Sequence, residues 1–169
     1  MMKKLGEEFY IKNCTETAPL LLGKFLCRNI NGEIIKSKIT ETECYFGESD
    51  TACHAHKGKT ERTKTLYKKG GVAYVYLCYG IHFLFNVVTG PENMPQAILI
   101  RAVENYNGPG KLTKYLQITK TLNEENLITS EKIWIEDSGE IPKYKSYPRI
   151  GIDYATEEYK NKLWRFKLE

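Results

Sequence analysis

Glu41-Thr42-Glu43-Cys44-Tyr45 sets two carboxylates and a phenol at alternate positions. On a β-strand, alternate side chains share one face, about 7 Å apart per two-residue step. Paired carboxylates suit general acid–base chemistry, because their surroundings can drive their pKa values apart. A solvent-facing polar strand fits the same pattern, and nothing local ranks Glu41 against Glu43. Between Asp50 and His56 the chain carries Asp50, Cys53, His54 and His56. Zinc sites generally need a second ligand cluster with its own spacing. Here His82 stands alone, and Cys44 and Cys78 fall in strand-like stretches. The expectation is therefore no metal, with a histidine in a pocket that hydrogen-bonds and stacks. The plainer alternative is an Asp50–His54 pair at i,i+4 that only fastens a turn. Arg101 is the single charge in Ala97–Val103, AILIRAV. A lone arginine in a buried strand must be paired or line a cavity, and Glu43 is a candidate partner.

Tyrosine is abundant, twelve of the twenty aromatic residues. It combines a stacking face with a polar tip, which suits contact surfaces. The stretch VAYVYLCYG, Val72–Gly80, holds three tyrosines. Tyr74 and Tyr76 share a face by alternation, and Tyr79 is out of step with both. From Lys57 to Lys69 six cations (Lys57, Lys59, Arg62, Lys64, Lys68 and Lys69) meet one anion, Glu61. That local net +5 exceeds the surplus of the whole chain, +4. A patch of this kind attracts phosphates through screened Coulomb forces and counterion release. A solvated loop is the other reading of such a run.

These groups need a scaffold, and 169 residues suffice for one domain with a core of its own. Hydrophobic content of 41% and charge of 27% are those of an ordinary globular chain. A pI of about 8.7 is too mild to prove a nucleic-acid partner. Five cysteines without a C-x-x-C pair point to free thiols in a reducing cytosol. The opening MMKKLGEEFY lacks the apolar core of a signal peptide. The longest apolar run, Val72 to Phe85, is about 14 residues with polar interruptions, too short for a membrane span.

Thr17-Ala18-Pro19 before three leucines reads as a helix start. Asn31-Gly32 between FLCRNI and EIIKSKITETECYF is a strong hairpin signal. Gly70-Gly71 opens a strand pair, Val72–Tyr79 and Ile81–Val88, followed by the buried strand Ala97–Val103. Gly108-Pro109-Gly110 precedes a helical segment, Lys111–Thr119. Residues 120–148 are polar and turn-rich apart from a short strand, Lys132–Ile135. The pattern gives one mixed α/β domain, mainly antiparallel, without repeats or linkers.

A carboxylate strand, stacking tyrosines, a pocket histidine, a buried arginine and a basic loop form a recognisable set. Enzymes that act on a nucleobase must take it out of the duplex and hold it between aromatic faces. On ETECYFGESDTACHA, YVYLCYGIHFLFNV, ILIRAVE, GPGKL and RIGIDYA, in that order, the chain resembles the alkyladenine (3-methyladenine) DNA glycosylases. The resemblance runs from Leu20 to the final RFKL and implies an α+β fold: a single domain, residues 1–169, with a curved, mainly antiparallel sheet and flanking helices. It implies Glu43 as general base, with Arg101 and the Ile150 carbonyl helping to hold the attacking water. Tyr45, His54 and Tyr76 match the residues that sandwich a flipped base, with the His54 amide at its edge and Tyr74 in support. Asn86 matches the position that crowds the extra amino group of guanine. Tyr79 matches a tyrosine wedged into the duplex.

The implied partner is double-stranded DNA containing damaged purines, and the implied reaction is hydrolysis of the N-glycosidic bond. No lysine falls at a Schiff-base position, so strand cleavage is not expected, and no metal or organic cofactor is implied. Lys57, Lys59, Arg62 and Lys64 are assigned to phosphate contact on charge alone. A monomer in the bacterial cytoplasm, associated with the nucleoid and not with a membrane, is expected. Cys44 replaces the family's usual alanine, the loop TERTKTLYKKGG lacks its proline and asparagine, and the 120–148 region is shorter than in some relatives. Two rival readings are a non-catalytic module that binds damaged or distorted duplex, and a zinc hydrolase built on Cys53, His54 and His56.

Overall fold

The computed structural model describes residues 2–169. Among the described residues ten strands form a single open sheet in which every pairing is antiparallel, in keeping with the alternating patterns, with four short helices beside it. The first strand β1 (Lys3–Lys4) and helix α1 (Glu7–Tyr10) lead to helix α2 (Cys14–Leu20). Strands β2 (Phe25–Ile30) and β3 (Glu33–Phe46) form a hairpin around Asn31-Gly32. Both turn residues have positive φ, 52° and 92°, the geometry that makes Asn-Gly a preferred two-residue turn. Next come β4 (Ala73–Cys78), β5 (His82–Val88), β6 (Gln96–Val103), β7 (Tyr106–Asn107) and helix α3 (Pro109–Tyr115). The chain closes with β8 (Ile133–Asp137), β9 (Tyr144–Tyr147), helix α4 (Glu157–Lys160) and β10 (Arg165–Leu168).

The 14-residue β3 is the spine of the sheet. One edge pairs with β6; the other pairs first with β2 and then, from Glu41 to Glu43, with β10. The register between β3 and β6 shifts twice near Ile39–Thr42. Ala102 opposes Glu41 and Ile100 opposes Thr42, so Arg101 is the extra residue of a bulge. Bulges bend a strand and re-aim a side chain. The main core, including Leu21, Leu26, Ile39, Phe85, Ile98, Ile100 and Leu112, fills the space between the sheet and helices α2 and α3. Thr42 and Cys44 turn to the opposite side of β3 from Glu43 and are fully buried, which leaves the odd-numbered face for the site.

Three sequence expectations need correction. The helix near Pro19 ends there rather than starting: Asn13 stands at its N-cap and Pro19 lies inside its last turn. The helical segment expected at Lys111–Thr119 begins and ends earlier, at Pro109–Tyr115, with proline at its first position where a missing N–H costs nothing. The thiols are not all free. Cys14 and Cys44 are joined, their Cα atoms 5.7 Å apart across 30 residues, because α2 lies against β3. Cys27, Cys53 and Cys78 remain as free thiols. Among the described residues no helix is long and apolar enough to cross a membrane.

Candidate active site

One row of the sheet brings Glu43, Asn86 and Tyr74 onto one face. Tyr147, Arg165, Glu43, Leu99, Asn86 and Tyr74 are successive cross-strand partners on β9, β10, β3, β6, β5 and β4. Side chains in register across a sheet share a face, so this row presents them together. Glu43 lies at its centre, fully buried.

Three groups contact the Glu43 carboxylate. The Tyr45 hydroxyl donates to Oε1 at 2.8 Å, and the Ile150 amide donates to Oε2 at 2.7 Å. Arg101 Nη1 reaches Oε1 at a longer 3.4 Å, and Arg149 adds positive charge nearby. Burial still wins: desolvation raises the Glu43 pKa above the usual carboxylate value, against the pull of Arg101, the Ile150 amide, Tyr45 and Arg149. A carboxylate whose pKa is raised by burial is a better proton acceptor than an exposed one. Glu41 shares the strand face but not the environment. It is paired with Arg165 at 2.9 Å and lies 3.6 Å from Arg101. Ionic pairing occupies Glu41, while the Ile150 amide and the Tyr45 phenol hold Glu43.

Aromatic rings stand along the same face. His54 and Tyr76 meet edge to face, with centroids 4.7 Å apart, and Tyr74 lies 5.3 Å from Tyr76. Tyr74 belongs to a second buried cluster with Ala55, Leu66, Val88 and Ala97, and Tyr45 and Tyr76 pack against it. Nδ1 of His54 hydrogen-bonds the Tyr74 hydroxyl at 2.9 Å. Burial, aided by Arg62, lowers the His54 pKa to about 4, so the ring is neutral at physiological pH. Asn86 is buried between the rings and the carboxylate and donates from Nδ2 to the Tyr74 carbonyl at 3.2 Å.

Tyr79 departs from this face because it is a turn residue. Tyr79 and Gly80 have φ of 52° and 67°, and the Ile81 amide bonds the Cys78 carbonyl at 3.1 Å. That is the turn of a tight hairpin, and it lifts a 92% exposed Tyr79 ring off the end of β4. Left-handed backbone at a tyrosine costs about 1–2 kcal/mol. Such strain persists only where the surroundings hold it.

Lys57, Lys59, Arg62 and Lys64 are exposed, but the segment is not a free basic loop. Two short 3-10 turns, His54–Lys57 and Lys64–Tyr67, shape it. Arg62 lies over the Tyr76 ring at 5.5 Å and Lys59 over Tyr67 at 5.6 Å. Ion pairs tie Lys64 to Glu61, Lys68 to Glu124 and Lys69 to Glu7. The segment is thereby drawn to the rim of the aromatic group. No set of three or more His, Cys, Asp or Glu side chains among the described residues is grouped to hold a metal. His56 instead hydrogen-bonds the Glu48 carbonyl.

Sequence reasoning passed over Arg149. Its guanidinium forks onto Asp50 at 2.7 and 3.0 Å and also donates to the carbonyls of Cys44 and Tyr159. It lies 4.9 Å from the Tyr45 ring centre and 5.1 Å from that of Trp164. Arg149 thereby fixes the loop whose next residue, Ile150, supplies an amide to Glu43. Asp50 fastens not His54 but this arginine, 99 positions away. Its place as the first residue of RIGI was the available signal.

Comparison with known proteins accords with this geometry. The methylpurine-DNA glycosylase (MPG) family model matches residues 8–169. A protein of Borreliella burgdorferi (strain ZS7) is 44% identical over 174 residues, covering 95% of this chain and 94% of that protein. Proteins of Natranaerobius thermophilus and Clostridium perfringens are each 41% identical, covering 98% of this chain and 95% and 96% of theirs. All three carry the provisional name 3-methyladenine DNA glycosylase. With a family match over nearly its whole length and relatives at this identity, the chain belongs to the methylpurine-DNA glycosylase family, enzymes of DNA repair.

Proposed function

We propose that this glycosylase removes damaged purines from double-stranded DNA by flipping the nucleotide into the aromatic site and hydrolysing its N-glycosidic bond with a water activated by Glu43. The observation that carries this reading is the buried Glu43, with a raised pKa and fixed by Tyr45, Ile150 and Arg101, beside the His54–Tyr76 rings. Water attacks the anomeric carbon as the bond to the base breaks and its electron pair leaves with the base. Glu43 takes the proton of the water and offsets the positive charge developing on the sugar. Arg101 and the Ile150 carbonyl hold the water. An alkylated cationic base such as 3-methyladenine leaves neutral and needs no acid.

The pocket suits such a base. Tyr45 and Tyr76 offer electron-rich faces to a cation. A neutral His54 stacks without the repulsion an imidazolium would add. Tyr74 supports the ring pair, and Asn86 crowds the amino group of an undamaged guanine. 7-Methylguanine, hypoxanthine and ethenoadenine are further candidate substrates. Tyr79 enters the duplex where the base was, offsetting a few kcal/mol of unstacking. Lys57, Lys59, Arg62 and Lys64 contact phosphates. The chain acts as one domain and a monomer, without cofactor or strand cleavage, on DNA in the cytoplasm.

Glu43→Gln is the test. Base release from methylated duplex should stop while binding to that duplex survives. Undiminished release would remove Glu43 from the mechanism.

A further inference from the structure

Arg101 does not sit on Glu43 alone. Its Nη1 is 3.4 Å from Glu43 Oε1 and its Nε is 3.6 Å from Glu41 Oε2. Both exceed the 2.7–2.9 Å of a full charge-assisted bond, and buried Nε makes no hydrogen bond. Glu41 in turn is held at 2.9 Å by Arg165 Nη1. Arg165 is itself fixed: Nε donates to the Pro148 carbonyl at 2.9 Å, and the guanidinium lies over Tyr147 at 4.8 Å. The side chains form a line of alternating charge, Arg165–Glu41–Arg101–Glu43, each no more than 17% exposed. Charges this shielded are screened little by salt. Arg101 hangs between two carboxylates at the bulge, and Arg165 competes with it for one of them.

We propose that Glu41 and Arg165 are positioning residues for the reaction: they divide Arg101 between two carboxylates and so set how readily Glu43 takes a proton from water. This rests on the reading of Glu43 as the base. The charged and titratable groups facing Glu43 are Glu41 and Tyr45 on β3, Arg101 on β6, Arg165 on β10, and Arg149 before Ile150. Asp50 neutralises Arg149, which leaves the line of four as the adjustable part.

The line predicts opposite effects from its two outer members. Without the charge of Glu41, Arg101 turns wholly to Glu43, the ionised form is favoured, and the acid limb of activity moves to lower pH. Without Arg165, Glu41 becomes an unneutralised anion that draws Arg101 away and repels the Glu43 carboxylate, so the limb moves to higher pH. The experiment measures release of methylated purines from alkylated duplex DNA under enzyme excess, as a function of pH. Wild type, Glu41→Gln, Arg165→Gln and the double variant are compared. Opposite displacements of about half a pH unit or more are expected, with the double variant following Glu41→Gln, because Arg165 acts through Glu41. Glu41→Asp should restore the wild-type limb. Displacements of the same sign, or none in the soluble variants, would make the pair merely structural and overturn the proposal. Arg165→Gln carries the test by itself if Glu41→Gln fails to fold. Failure of the underlying reading is separate: Glu43→Gln would then keep both its activity and the acid limb.

Discussion

Asp50→Ala should be among the most damaging single substitutions in this protein. It removes one half of an ion pair in which both side chains are fully buried. Asp50 accepts two bonds from Arg149 and one each from the amides of Phe46 and Ala52, at 2.9 and 3.0 Å. The variant leaves a guanidinium with only the Cys44 and Tyr159 carbonyls, and two amides without acceptors. Breaking a buried pair by removing one partner costs about 3–5 kcal/mol, mostly the uncompensated charge. A native domain holds about 5–15 kcal/mol in total. At about 2–4 °C per kcal/mol for a chain of this size, Tm should fall by roughly 6–20 °C. Urea unfolding followed by circular dichroism should show a lower midpoint with unchanged slope. The double variant Asp50→Leu with Arg149→Leu should lose less than the sum of the two single variants, since it buries no lone charge. At a temperature where Asp50→Ala is still folded, excision should also slow, because Arg149 precedes the Ile150 amide that holds Glu43. A loss below about 1 kcal/mol, the level of an exposed pair, or strict additivity in the double variant, would refute the reasoning.

Three further predictions concern the site. Burial raises the Glu43 pKa, so the acid limb of single-turnover excision should lie above the ordinary glutamate value of about 4.3; a limb at or below that value would count against it as the base. His54 has its folded pKa lowered by burial to about 4, below the ordinary histidine value of about 6.5, so its contribution to stability is full above about 6.5 and is lost as pH falls through 4. His54→Gln should remove that part of the acid dependence in urea unfolding while the rest persists. Tyr79→Gly should relieve about 1 kcal/mol of left-handed strain at φ 52° and leave the thermal midpoint equal or higher. The same variant should bind and process damaged duplex less well, and unchanged binding in a fluorescence titration would exclude Tyr79 from the DNA contact.

Local chemistry made part of this molecule legible. Asn31-Gly32 demands positive φ at two successive residues, and that fixes a hairpin from two letters. Strand alternation put Glu41, Glu43 and Tyr45 on one face and set Tyr79 apart from Tyr74 and Tyr76. A lone arginine in AILIRAV announced a partner, and the partner is a carboxylate. Propensity failed at Pro19, where proline sits in the last turn of a helix seven residues long.

Tertiary structure alone chose between equivalent groups. Glu41 and Glu43 are alike in sequence; Arg165 claims one, and the Ile150 amide and Tyr45 claim the other. The two arginines and the amide come from β6, from β10 and from a loop more than 50 residues away in the chain, by strand register and a bulge that no local window contains. Cys14 with Cys44, and Asp50 with Arg149, are likewise pairings across long separations. Periodicity tells a side chain which face to take; only packing, with its demand that every buried charge find a partner, tells it which neighbour to meet.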